Sequence, residues 1–170
     1  SDVCSSDLTA PRRGRVGLVS GCVQSVLFGA TNAATVRLLN AAGYDVVIPR
    51  GQVCCGALDV HSGQRARARE FARRNLAAFP WRALDAIVIN AAGCGSTLKE
   101  YGHLLGDAAA GEFAAKVRDL SEFLVDCGWR PAARPGGGPV TVHDACHLAH
   151  AQDRKSTRLN SSHSSVSRMP

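Results

Sequence analysis

From residue 14 onward, short apolar runs alternate with stretches of helical period. RVGLVS at 15–20, DVVI at 45–48 and AIVIN at 86–90 each read as a short buried strand. Between the first two, residues 32–42 place Ala34, Leu38 and Ala41 on one face, with Thr31 or Asn32 as N-cap and Gly43 as the stop. Between the second and third, residues 64–79 carry an apolar stripe of Ala68, Phe71, Ala72, Leu76 and Phe79, ended by Pro80. Further helices are predicted over 97–105 and 112–127. Residues 130–139 are rich in Pro and Gly and read as loop. VTVHD at 140–144 reads as a fourth strand. Strands alternating with helices predict a parallel α/β sheet. The pattern then restarts: a short strand followed within a few residues by a cysteine occurs at 15–22 and again at 140–146. This suggests an internal repeat whose second copy is cut short.

The chain has 170 residues, 45% of them hydrophobic and 20% charged, which is enough apolar material for a packed core. No apolar run approaches the roughly 18 residues of a membrane span. The N-terminus lacks a basic region followed by an apolar one, so no secretory signal is expected. The net charge of +6 selects no partner class by itself.

The two ends read differently from the rest. One codon choice for residues 2–7 is the reverse complement of one codon choice for residues 153–158. That shared string resembles the adapter ligated to short-read sequencing fragments. Residues 1–8 are therefore expected to be an adapter-derived leader and 153–170 an adapter-derived tail, sharing no core with 14–150. The natural segment would hold a first domain at 9–135 and the start of a second at 136–152. It would keep a charge of +5 and six of the seven cysteines, Cys4 falling in the leader.

Those six cysteines carry the candidate chemistry. Without a secretory signal they argue for thiolate or metal chemistry over a disulfide framework. Cys22, the adjacent Cys54-Cys55 and Cys94 each lie just past the carboxyl end of a predicted strand. In a parallel sheet those ends share one edge, where ligand sites form. Four soft thiolates gathered there suit an iron–sulfur cluster or zinc. A redox-active vicinal pair at Cys54-Cys55 is a third option. Gly51 and Gly56 give that loop the freedom to turn sharply. Cys127, beside Phe123 and Leu124, reads as a small buried hydrophobe. Cys146 would serve the truncated second copy.

The spacing of Cys22, Cys54-Cys55-Gly56 and Cys94 resembles the cysteine-rich CCG domain of heterodisulfide-reductase-type proteins. Within that group it is most similar to the iron–sulfur subunits of glycolate oxidases. The stretches that carry the likeness are GCVQ at 21–24, NAAT at 32–35, CCGALDVH at 54–61, AAGCGSTLKEYGHLL at 91–105 and HDACHLAHAQ at 143–152. The resemblance implies a three-layer parallel-sheet CCG domain with Cys22, Cys54, Cys55 and Cys94 as the cofactor-binding, metal-ligating set. Cys146 would open the second copy. It also implies ferredoxin-type 4Fe–4S clusters in an upstream part not contained in this sequence. The family pattern ends in C-x-x-C, whereas here Cys94 is flanked at that spacing by Ala91 and Thr97, so four thiolates are expected and not five.

As implied by the resemblance, the chain is part of an oxidoreductase that oxidises glycolate to glyoxylate. It would act as the non-flavin subunit, relaying electrons from FAD-containing glycolate oxidase subunits. The fragment alone is expected to be inactive and to have no catalytic residue. Its location would be cytoplasmic, touching the membrane only peripherally through the complex. The alternatives are a thiol-disulfide module or a zinc-stapled one, in a related lactate, glycerol-3-phosphate or heterodisulfide-reductase-type complex. No G-x-G-x-x-G or P-loop supports nucleotide binding. Arg65, Arg67, Arg69, Arg73 and Arg74 lack interleaved aromatics, so nucleic acid is not expected and a solvated helix face is. His61, His103, His143, His147 and His150 are expected in structural or surface roles.

Overall fold

A computed structural model describes the backbone of residues 2–4 and all of residues 11–130. Its centre is a five-stranded sheet: β1 (Asp2–Cys4), β2 (Gly14–Leu18), β3 (Tyr44–Ile48), β4 (Ala86–Ile89) and β5 (Val117–Asp119), in the order β1-β3-β2-β4-β5. The strands β2 to β5 are mutually parallel, with Val16 opposite both Val46 and Ala86, and Ile87 opposite Val117. Parallel strands need crossovers, and helices supply them. They are α1 (Cys22–Leu27), α2 (Gly29–Ala41), α3 (Ala57–His61), α4 (Arg65–Ala78), α5 (Ala92–Lys99), α6 (Tyr101–Leu105), α7 (Ala108–Ala115) and α8 (Leu120–Asp126).

The helices divide between the two faces, which makes three layers. On one face Val16, Leu18, Val46, Ala86 and Val88 pack with Leu39 of α2 and Phe123 of α8. On the other, Val47, Ile87 and Ile89 pack with Ala68 and Ala72 of α4, Leu98 of α5, Tyr101 of α6 and Phe113 of α7. The alternation of side chains along each strand feeds both cores, so Val16 and Ile87 are equally buried on opposite faces. Burial of this kind stabilises by about 25 cal/mol per Å² of apolar surface removed from water. Phe113 sits at the centre of an aromatic group, stacked on Tyr101 at 5.8 Å and edge-on to Phe79 and Trp81.

The parallel α/β sheet is as the pattern implied, and several local readings change. After β2 the chain enters a helix that the pattern did not predict, α1, with Gly21 at its N-cap and Cys22 as its first residue. The helix predicted over 97–105 starts earlier and is divided in two, α5 taking in the small-residue stretch around Cys94 and α6 following it. The single helix expected over 112–127 is instead α7, β5 and α8. Val117 alternates with Arg118 and Asp119, so β5 has no apolar run to announce it. Asp119 then starts α8 with a capping box, its carboxylate accepting from Ser121 while Glu122 reaches back to the Asp119 N–H. The leader, expected to stay outside the fold, contributes β1, an antiparallel edge strand on β3 with Val3 opposite Val47. Edge pairing uses backbone groups and demands little of the sequence, so an open sheet edge accepts a short extended segment. The strand expected at 140–144, the second copy and the tail lie outside the described residues.

Candidate metal centre

The sheet order sets the location of the site. From β2 the chain crosses to β3 on one side, then returns past β2 to reach β4 on the other. The carboxyl ends of β2 and β4 therefore open a crevice at the point where the winding reverses, the usual ligand position of such sheets. Cys22 opens α1 after β2, Cys54 and Cys55 follow β3, and Cys94 lies in the first turn of α5 after β4.

The structure brings these four thiols together. The sulfurs of Cys22 and Cys54 are 3.6 Å apart. The Cys55 thiol donates to the sulfur of Cys94, and Cys94 feels both Cys22 and Cys54. Cys22 is exposed, Cys54 and Cys94 are half-buried and Cys55 is buried, so the group reaches from the surface into the core. Cys127 stands apart, on the opposite face of the sheet as its apolar neighbours implied, but it is half-buried at the rim of that core and not fully buried, its thiol donating to the Leu124 carbonyl. Cys146 and His143, His147 and His150 lie outside the described residues. His61 and His103 are exposed. Of the arginine run, all five residues are exposed, and Arg69 also donates to the Leu104 carbonyl at 2.8 Å.

Two polar networks frame the thiols. The first joins the strand ends. Asn90, just past β4, donates to Asn32 Oδ1 and Thr35 Oγ1, both at 2.9 Å, and accepts from Gln24 of α1. Asn32 in turn donates to the Ser20 carbonyl. Gln52 completes the frame, accepting from the Ser20 N–H at 2.9 Å. The second network grips the Cys54-Cys55 loop. Asn75 of α4 accepts from the Val53 N–H at 2.8 Å and donates to the Cys54 carbonyl and to the Tyr101 hydroxyl, each at 3.0 Å. The Tyr101 hydroxyl then donates to the Cys55 carbonyl at 2.9 Å.

Sequence reasoning passed over Asn75 and Tyr101. The signal for Asn75 was present: a polar residue seven positions after Ala68, in the buried register of the α4 stripe. Burial of such a group is tolerated when its hydrogen bonds are made, and those of Asn75 are.

The thiol electrostatics follow from the packing. Burial pushes the Cys54 thiol up to about 11, partly offset by the Gly56 N–H, which donates to its sulfur at 3.4 Å. Cys55 is raised, first by donating its proton to Cys94 and then by burial. Cys94 is lowered, because the Cys55 thiol stabilises its thiolate. Burial raises Tyr101. The thiols are hydrogen-bonded to one another, Cys22 to Cys54 and Cys55 to Cys94. Among the described residues no three His, Cys, Asp or Glu side chains, these thiols included, stand ready-arranged around a metal ion, so the four sulfurs would have to draw closer to ligate one. A donor set of thiols alone, in a crevice with one buried member, fits an iron–sulfur cluster or a zinc ion.

The sequence profile of the CCG family, the cysteine-rich domain, matches residues 16–99, a span that starts in β2 and ends with α5 and contains all four thiols. Residues 16–99 are a cysteine-rich CCG domain. The CCG region is also similar to curated proteins beyond the cysteine positions. The chain is 43% identical over 145 residues to the probable glycolate oxidase iron–sulfur subunit of Bacillus subtilis, covering 81% of this chain and 33% of the relative. It is 36% identical over 149 residues to the glycolate oxidase iron–sulfur subunit of Escherichia coli, covering 81% of this chain and 36% of that one. It is 33% identical over 140 residues to lactate utilization protein A of Geobacillus kaustophilus, covering 79% and 58%. The chain thus spans about a third of the length of the two glycolate oxidase relatives. No solved structure matches it significantly.

In the CCG domain the position that would supply a fifth thiol is occupied differently. Ala91 precedes α5, and Thr97 is buried with its hydroxyl donating to the Gly93 carbonyl. The mouth of the site is apolar. Helix α1 buries no residue, and Val23, Val26, Leu27 and Phe28 follow Cys22 as exposed side chains. Among the described residues no helix is long and apolar enough to cross a membrane.

Proposed function

We propose that the intact protein is the iron–sulfur, electron-transferring subunit of a glycolate oxidase, with Cys22, Cys54, Cys55 and Cys94 ligating a cluster in this domain. The observation that carries the reading is the convergence of four thiols from the three segments that follow β2, β3 and β4, at one switch point of the sheet. The names of two relatives, both glycolate oxidase iron–sulfur subunits, support the cofactor and the substrate, and the lactate utilization relative places a similar region in a protein linked to another α-hydroxy acid.

When bound, a 4Fe–4S cluster supplies a centre that accepts and releases one electron at a time. The chain's own groups do the rest. The four sulfurs act as ligands once deprotonated. The Gly56 N–H donates to the Cys54 sulfur, which favours its thiolate form. Tyr101 and Asn75 fix the loop, and Asn90 ties α1 to the end of β4. Exposed Cys22 places one edge of the site near solvent, where a partner can approach.

Oxidation of an α-hydroxy acid removes two electrons as a hydride, which a flavin accepts. In this reading a separate FAD-containing subunit takes the hydride, and this chain has no dehydrogenase activity of its own. The complex works in the cytoplasm, peripheral to the membrane. The full-length protein should therefore give no turnover with glycolate and a dye acceptor until the flavoprotein subunit is added. Turnover by the isolated subunit overturns the relay. Stoichiometric zinc in the purified protein would instead favour a structural, zinc-stapled CCG module.

A further inference from the structure

The loop that carries Cys54 and Cys55 has an unusual task. Adjacent side chains diverge, so two neighbouring thiols reach one centre only if the backbone between them is held in a particular turn. Three consecutive residues of that backbone are gripped from one side. The Val53 N–H goes to Asn75 Oδ1, the Cys54 carbonyl accepts from Asn75 Nδ2, and the Cys55 carbonyl accepts from the Tyr101 hydroxyl. The two gripping side chains are bonded to each other at 3.0 Å and are 3% and 0% exposed. They come from different helices, α4 and α6, whose positions are fixed by the core around Phe113 and Ala72. Packing thus holds the grip rigid.

We propose that Asn75 and Tyr101 form a positioning pair that sets the Cys54-Cys55 loop so that its two thiols face Cys22 and Cys94. The pair touches backbone and not sulfur, so it acts through the cysteines. The proposal rests on the ligation reading above for its metal readout, and on the hydrogen bonds alone for its thiol readout. Each bond has a distinct role. Tyr101→Phe removes only the hydroxyl, leaves the Cys55 carbonyl buried without its donor and keeps the ring stacked on Phe113. Asn75→Asp keeps an acceptor for Val53 but removes both N–H donors.

The test uses the full chain, reduced and metal-free, in four versions: wild type, Tyr101→Phe, Asn75→Asp and Phe123→Leu. The last loosens the core on the opposite face of the sheet, so it lowers stability without touching the loop. Folding of each is checked by circular dichroism. Cobalt(II) is titrated while its thiolate charge-transfer absorption is followed, and the rate at which a disulfide dye modifies Cys55 is measured without metal. Both loop variants should bind cobalt about 10- to 100-fold more weakly, as loss of an outer-shell partner does elsewhere, with Phe123→Leu close to wild type. Cys55 should react at least about tenfold faster in the loop variants, in proportion to loop opening. If wild type binds no cobalt, the ligation reading fails, and the dye rates alone decide the positioning pair. Wild-type dye rates in either folded loop variant, or an equal change in Phe123→Leu, overturn it.

Discussion

The sulfurs of Cys22 and Cys54 lie 3.6 Å apart, although 32 residues separate them in the chain. One opens a helix after β2 and the other sits in the loop after β3. Closing to a disulfide needs a sulfur–sulfur distance of about 2.05 Å, a small movement for two accessible side chains. Mild oxidation of the metal-free chain should therefore join Cys22 to Cys54 first, ahead of the vicinal Cys54-Cys55 bond. Peptide mapping by mass spectrometry identifies the bridge. A dominant Cys54-Cys55 link would show that the loop is not held in the turn described.

Gly56 has φ +82° and sits against α4: an added Cβ would stand 3.2 Å from Ala68 Cα and 3.3 Å from its Cβ. Gly56→Ala should cost about 1–3 kcal/mol from the left-handed backbone, and more if Ala68 cannot give way. The measurement is urea unfolding of the metal-free chain. The same substitution should lower iron content after reconstitution, because the loop shifts away from α4 and carries both thiols with it.

Asn90 holds three partners from two helices, Gln24, Asn32 and Thr35. Removing it leaves half-buried polar groups unmatched, so Asn90→Ala should destabilise by about 1–3 kcal/mol. It should also free α1, seen as faster amide exchange over 22–27 than in wild type. Unchanged exchange there would mean that α1 is held by something other than this network.

These examples also mark what could be read in the sequence. The strands β2, β3 and β4 were legible because each carries a short apolar run, Val16–Leu18, Val46–Ile48 and Ala86–Ile89, as sheets covered on both faces require. The convergence of the four cysteines followed from their places after strand ends, and Cys127 was separable by its apolar neighbours. The start of helix α5 was not legible: Ala-Gly-Cys-Gly-Ser has no period, and the chain turns helical there because Leu98 and Thr97 are buried against the sheet. β5 is too short to show a pattern. Asn75 and Tyr101 were hidden for another reason. Their role depends on meeting a loop more than 20 residues away, which periodicity does not report.

Burial raises the Cys54 thiol from its ordinary 9.0 to about 11, so folding favours its protonated form. The stability this gives is present below about pH 9 and is lost as pH rises toward about 11. Cys55 and Tyr101 are raised and act in the same direction, while Cys94 is lowered and opposes them. The reduced, metal-free chain should thus lose stability through this alkaline window, followed by urea unfolding at several pH values. Cys54→Ser should flatten the loss. An equal alkaline loss in Cys54→Ser would assign it elsewhere.

The central claim is that the sulfurs of Cys22, Cys54, Cys55 and Cys94 hold an iron–sulfur cluster, and anaerobic reconstitution tests it most directly. The chain is refilled with iron(II) and sulfide, then iron and sulfide per chain and visible absorption are measured for wild type. The same is done for each of the four cysteine-to-serine variants and for Cys127→Ser. Wild type and Cys127→Ser should retain about four iron and four sulfide per chain, and each of the other four should lose most of both. A wild-type chain that retains no iron, or a Cys127→Ser variant that loses it as fully as Cys54→Ser does, would contradict the account.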